Sequence, residues 1–208
     1  MHTDLPGRGV CMCGRYYIDP DTEDSVERLF HIRPDHRTAG DVTPGMSPLV
    51  LHGRSGKMSA DAMYWGMTGQ NGSMIINARS ENIYDRPMFR NSIADRRLVI
   101  PAAGFYEWDR ERNKVTFHLP DSGPLFLAGI YTLDRNKEAF VILTTSANRS
   151  VESVHDRMPV IIPARDVTDW LFEPKKTREF LQTVPPMLTS EREYEQISLF
   201  QTMLLEKQ

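Results

Sequence analysis

Apolar residues in this chain fall into many short runs, and few stretches are long enough for a helix. Behind Asp19-Pro20-Asp21, the positions Val26, Leu29 and Phe30 recur at helical spacing, which predicts a helix that Asp21 can cap. Residues 167–172 and 177–183 predict two more short amphipathic helices, 87–94 a helical piece and 148–154 a helical turn. Strand patterns occur at 14–18, 49–51, 58–65, 97–101, 104–108, 115–119, 125–131, 140–145 and 160–162. Gly53-Arg54-Ser55-Gly56 and Asn136-Lys137 are turn signals. Residues 33–47 and 67–73 read as loops, and the chain from Glu191 onward as a polar tail. Many short strands with few helices between them predict an α+β, β-rich fold: a compact, barrel-like, mostly antiparallel sheet with short peripheral helices.

The 208 residues suffice for one domain with a sizeable core, expected over 12–208. Residues 1–11 read as an extension outside the fold, either an upstream start or a leader that is removed. With 25 basic and 28 acidic side chains the net charge is -3. That excludes the chain as a whole as a polyanion binder and leaves room for a local basic groove. Cys11 and Cys13 are the two cysteines; one residue apart, they make no disulfide framework and point to a reducing, cytoplasmic setting. Without a histidine pair nearby they make a poor zinc site, so no metal or other cofactor is expected. No apolar run approaches membrane-spanning length, and 1–11 lack the apolar core of a signal peptide, so no membrane partner is expected.

Candidate chemistry starts at Met12-Cys13-Gly14-Arg15-Tyr16. If translation began at Met12 and that residue were removed, Cys13 would carry an α-amine and a thiol on adjacent carbons. The amine has an ordinary pKa of about 7.7–8.0 and the thiol one of about 8.5, lowered beside a cation such as Arg15. A 1,2-aminothiol condenses with an aldehyde to an imine and then closes a thiazolidine ring. An ordinary small buried cysteine fits the same five residues. Glu107, inside the aromatic run Gly104-Phe105-Tyr106-Glu107-Trp108, is either a desolvated carboxylate with a raised pKa suited to proton transfer or a strand residue facing solvent. His155 is either a proton shuttle or a loop histidine hydrogen-bonded to Asp156. On a strand Asn77, Arg79 and Glu81 share one face. Asn77 could then orient a reacting group and Arg79 hold a phosphate, or Arg79 and Glu81 form a sheet-edge ion pair. Trp65 and Trp108 read as core residues before stacking platforms.

Together these pieces resemble the SOS-response-associated peptidase (SRAP) family, the abasic-site shield proteins. The resemblance runs in order through Met12-Cys13-Gly14-Arg15-Tyr16, Val42-Thr43-Pro44, Trp65-Gly66, Ile76-Asn77-Ala78-Arg79-Ser80-Glu81, Gly104-Phe105-Tyr106-Glu107-Trp108 and His155-Asp156-Arg157-Met158-Pro159, over roughly 12–173. It implies a β-rich, barrel-like fold with a basic groove for single-stranded DNA containing abasic sites. It implies that the mature N-terminal Cys13 crosslinks to the ring-opened lesion as a thiazolidine in the SOS response. By the same resemblance Asn77 positions the amine or sugar, Glu107 moves protons, His155 assists ring opening, and Arg15, Arg79 and Arg157 hold phosphates. The expected protein is a monomer, nucleoid-associated when bound to DNA. Two differences stand out: Asp41 replaces a common Asn, and the loop 67–73 is short. The alternatives are a cysteine-type peptidase using Cys13 and His155, with autoproteolytic removal of the leader, and a non-catalytic single-strand binding module.

Overall fold

The computed structural model describes residues 14–34 and 38–193, so Cys13 lies outside the described residues. Chain order begins β1 (Tyr16–Ile18), α1 (Pro20–Phe30), β2 (Gly40–Val42), β3 (Leu49–Arg54) and β4 (Lys57–Ala62). Four very short strands follow: β5 (Tyr64–Trp65), β6 (Met67–Thr68), β7 (Met74–Ile75) and β8 (Asn77–Arg79). Helix α2 (Pro87–Asp95) leads to β9 (Arg97–Ala102), β10 (Gly104–Trp108), β11 (Lys114–His118) and the long pair β12 (Leu125–Asp134) and β13 (Lys137–Ser146). Then come β14 (Arg157–Pro159), α3 (Val167–Phe172), α4 (Thr177–Gln182) and β15 (Thr189–Glu193).

The result is a mixed α+β fold, rich in strands. One sheet has the order β15-β11-β10-β1-β2 and is antiparallel throughout. The larger runs β14-β13-β12-β9-β3-β4. Strands β5 and β8 join it parallel to β13, on the edge opposite β12. Both paths are open among the described residues. Instead of the expected barrel-like closure, two sheets face each other, because β13 fills one edge with β12 and β14 and the other with β5 and β8.

Alternation along β9 and β13 builds two cores. Leu98, Ile100, Phe140 and Ile142 meet Tyr16, Ile18, Phe105 and Phe117 between the sheets. Val99, Val141 and Leu143 point the other way, under Val26 of α1, Ile93 of α2, Trp170 of α3 and Leu181 of α4. With both faces covered, β9 is buried at every position and its sequence is a continuous apolar run after Arg97. Arg97 donates from Nε to Trp170 O at 2.6 Å and from Nη1 to Ile93 O at 3.0 Å, tying α2 and α3 to β9. No helix among the described residues is long and apolar enough to cross a membrane.

Several elements differ from expectation. Asp19, not Asp21, caps α1: its Oδ1 accepts from the Thr22 N–H at 2.7 Å, because Pro20 takes the first helical position. Of the expected apolar face, Val26 is buried but Leu29 is exposed. The loop 67–73 contains β6, folded back onto β7 through Gly72 at a φ of +74°. The strand expected at 160–162 lies earlier, as β14, with a single bridge between Leu127 and Ile161 beyond it. The polar tail begins as β15, an edge strand on β11.

Candidate functional site

Strand β1 carries the start of the described chain along β10. Tyr16 pairs with Phe105 and Tyr17 with Gly104, and the Tyr106 N–H donates to Arg15 O at 3.0 Å. Continued, this register sets Gly14 across from Glu107. Gly104 makes the approach possible, since a Cβ there would lie 2.5 Å from Phe117 O and 2.7 Å from the Tyr17 ring. Glu107 shares the face of β10 that carries Phe105, and it is 2% exposed, so its carboxylate points inward. Trp108 points outward, with the Arg15 guanidinium 5.7 Å above its ring. Arg15 also lies 3.7 Å from Asp41, whose carboxylate accepts from Tyr106 Oη–H at 3.0 Å.

The larger sheet supplies Asn77. On β8 Asn77 sits across from Ile142 and Arg79 across from Thr144. Residues directly opposite on neighbouring strands share a face. Ile142 belongs to the intersheet core and Ala78 to the other core, so Asn77 faces the intersheet space. Asn77 and Glu107 therefore face the same space from opposite sheets. Trp65 fastens this arrangement from within: Tyr16 packs on its indole at 5.3 Å, and its Nε1–H donates to Ile76 O at 3.0 Å.

Glu81 does not pair with Arg79. It takes the fork of Arg157, with Oε1 on Nη1 at 2.5 Å and Oε2 on Nη2 at 2.8 Å, while Nη2 also donates to Thr144 O at 2.7 Å. This bidentate bond to Arg157 holds the Glu81 carboxyl below its ordinary value, against partial burial that pushes it up. Arg157 is 7% exposed, buried against the end of β13. It is a filled ion pair, not the open phosphate contact expected of it. Arg15 is partly exposed and Arg79 exposed.

His155 is held by the same residue. The backbone N–H of Arg157 donates to its Nδ1 at 3.0 Å, which places the proton of the neutral ring on Nε2. Asp156 Oδ1 also lies 3.0 Å from Nδ1 and accepts from it only when the ring is charged. His155 and Trp108 line one cleft of about 890 Å³; Asn77 and Arg79 line another of about 540 Å³. Among the described residues no His, Cys, Asp and Glu cluster is arranged to hold a metal ion. Three parts of the site carried no local signal: Thr144, the Glu81–Arg157 pairing and the Asp41–Arg15 contact. Each partner lies far along the chain from the arginine it serves.

Residues 12–199 match the family described as SOS response associated peptidase (SRAP). The chain is similar to the abasic site processing protein YoqW of Bacillus subtilis (strain 168), at 29% identity over 193 residues, 83% of this chain and 86% of that one. It is similar to the abasic site processing protein YedK of Escherichia coli (strain K12), at 28% identity over 176 residues, 77% of this chain and 79% of that one. A crystal structure of a protein from Bordetella bronchiseptica shares the fold with a TM-score of 0.76 at 25% identity, covering 88% of this chain and all of that one. By sequence match over most of its length, the chain belongs to the SOS response associated peptidase (SRAP) family.

Proposed function

We propose that this protein processes abasic sites in single-stranded DNA by covalent capture on Cys13, in the DNA damage response. One observation carries this reading: Glu107 and Asn77 face one intersheet space, and the chain enters beside Glu107 at Gly14. Covalent geometry keeps the Cα of Cys13 within about 3.8 Å of that of Gly14. A chain starting at Cys13 therefore starts one residue before the position that the β1–β10 register sets across from the buried Glu107. The names of the similar proteins in Bacillus subtilis and Escherichia coli supply the substrate class.

The chemistry balances without an oxidant or reductant. The ring-opened lesion presents an aldehyde. The α-amine nitrogen attacks its carbon to give a carbinolamine, and loss of water leaves an imine. The thiol sulfur then adds to the imine carbon, the thiol proton ends on nitrogen, and the thiazolidine is closed. Glu107 accepts the proton shed by the attacking nitrogen and returns it to the departing hydroxyl. Asn77 orients the amine or the sugar. His155 offers Nε2–H to the sugar oxygen as the ring opens. Tethering both nucleophiles beside these groups raises their effective concentration at an aldehyde that is rarely exposed. Arg15 and Arg79 contact flanking phosphates, while Arg157, engaged by Glu81, holds His155 through its backbone.

The test is a time course of covalent adduct and strand cleavage on abasic single strands, using protein that begins at Cys13. Glu107→Gln should slow adduct formation about 10²–10⁴-fold. Cys13→Ser should still form the imine and nick the strand by β-elimination, without a heat-stable adduct. A wild-type rate in Glu107→Gln would make Glu107 a structural residue. A peptidase using Cys13 and His155, the activity in the family's description, needs no free amine. It would cleave a peptide substrate with Cys13 still acylated.

A further inference from the structure

Among the described residues two arginines are buried, Arg97 and Arg157, and the fold satisfies them differently. Every guanidinium nitrogen of Arg97 donates to backbone carbonyls, those of Trp170, Ile93, Ala94 and Leu171, and no carboxylate is needed. Arg157 instead has the Glu81 carboxylate across its two terminal nitrogens. The Thr144 carbonyl and hydroxyl add to Nη2 at 2.7 and 3.3 Å, while the Nε–H is buried and meets no acceptor among the described residues. A buried donor left over costs stability, so packing alone does not account for Arg157 at this place.

Thr144 of β13 stands between two short strands, opposite Arg79 of β8 on one side and Pro159 of β14 on the other. Glu81 follows β8, and Arg157 opens β14. Their bond therefore crosses the end of β13 and ties together two strands of three residues each, too short to hold a position alone. One carries Asn77, and His155 precedes the other. The backbone N–H of Arg157 donates to His155 Nδ1, and Asp156 Oδ1 waits at the same 3.0 Å from that nitrogen. If the Arg157 N–H moves away, Nδ1 can carry the proton and donate to Asp156. Nε2 then presents a lone pair where the sugar oxygen needs a donor. We propose that Glu81 is a positioning residue for lesion capture: through Arg157 it keeps His155 as the Nε2–H tautomer, in a fixed place relative to Asn77. The proposal rests on the abasic-site reading above. Since Glu81 acts through His155, its loss changes the rate of capture and leaves strand affinity nearly as it was.

The experiment is a double-mutant cycle, run with protein that begins at Cys13 and abasic single strands at limiting and saturating concentration. It compares wild type, Glu81→Gln, His155→Ala and the double variant. Glu81→Gln should lower the saturating rate of adduct formation about 10–10²-fold, the scale of a misplaced reacting group, with the half-saturating concentration nearly unchanged. The double variant should be no slower than His155→Ala alone, because residues that act through one another are not additive. Asp156→Ala removes the competing acceptor and should return part of the lost rate to Glu81→Gln. Nitrogen-15 NMR of the His155 ring, at about pH 8 where an ordinary imidazole is neutral, should show the proton on Nε2 in wild type and a share on Nδ1 in Glu81→Gln. If Glu81→Gln does not fold, Glu81→Asp takes its place in the cycle, since it keeps the charge but falls a methylene short of the fork. The proposal is overturned if the two single losses multiply in the double variant, or if the Glu81 variant captures at the wild-type rate. A wild-type ring protonated on Nδ1 would overturn it as well, in a measurement that needs no DNA. No covalent product from wild type on any strand would instead overturn the abasic-site reading itself.

Discussion

Asp41 and Glu81 each engage an arginine that a nucleic-acid strand would seek, and they do so at different depths. Asp41 stands 3.7 Å from Arg15 on the surface, half-exposed, where the pair itself is weak. Its effect on a ligand is larger than its effect on stability, since it competes with phosphate for the same cation. Asp41→Asn should tighten binding to undamaged single strands and steepen the salt dependence by roughly 0.7 in log–log slope. Unchanged affinity and slope in a salt titration would mean that Arg15 does not touch the backbone. Glu81 is different, because its partner is buried. Glu81→Gln leaves the Arg157 guanidinium short of its counter-charge and should cost about 1–3 kcal/mol at pH 7. The folded carboxyl titrates below its ordinary value of 4.5, so the pair stabilises the fold above that pH. The contribution is lost as pH falls through the lower, folded value. Thermal melts of the two proteins should therefore differ at pH 7 and converge in strong acid. An equal gap at both pH values would assign the effect to shape instead of charge.

At the scale of elements, the site depends on short pieces held by caps and neighbours. The N-cap of α1 is one: Asp19→Ala should cost about 1 kcal/mol, read as a lower midpoint in urea, while Asp21→Ala should change little. The reverse order would restore Asp21 as the cap. What the sequence made legible here follows its periods. Of Asn77, Arg79 and Glu81, expected on one strand face, Asn77 and Arg79 alternate with Ala78 along β8, whereas Glu81 lies in the 3-10 turn that follows; the run after Arg97 is a doubly covered strand. Pairings between distant segments left no such trace. β8 is three residues long and owes its existence to β13, a parallel partner that no local pattern announces. Thr189–Glu193 has polar residues at every position and is a strand because β11 offers it an edge. The two readings of Glu107 were equal in sequence, since a single carboxylate on a strand has no period. Its neighbour Phe105, buried against Tyr16, decides the inward face.

For the whole molecule, the two sheets matter more than either alone. The smaller brings the entering chain and Glu107; the larger brings Asn77; Trp65 and Tyr16 bind them together. Such an arrangement matters only if the chain's α-amine is free, because an amide nitrogen does not form an imine. The most direct test is therefore a crosslinking assay on abasic single-stranded DNA, with intact mass spectrometry of the same samples. It compares protein that begins at Cys13 with protein that retains residues 1–12. The account predicts a heat-stable adduct with the first, at the mass of protein plus strand less one water, and none with the second. Equal adduct formation by both, with residues 1–12 still attached in the adduct, would contradict it.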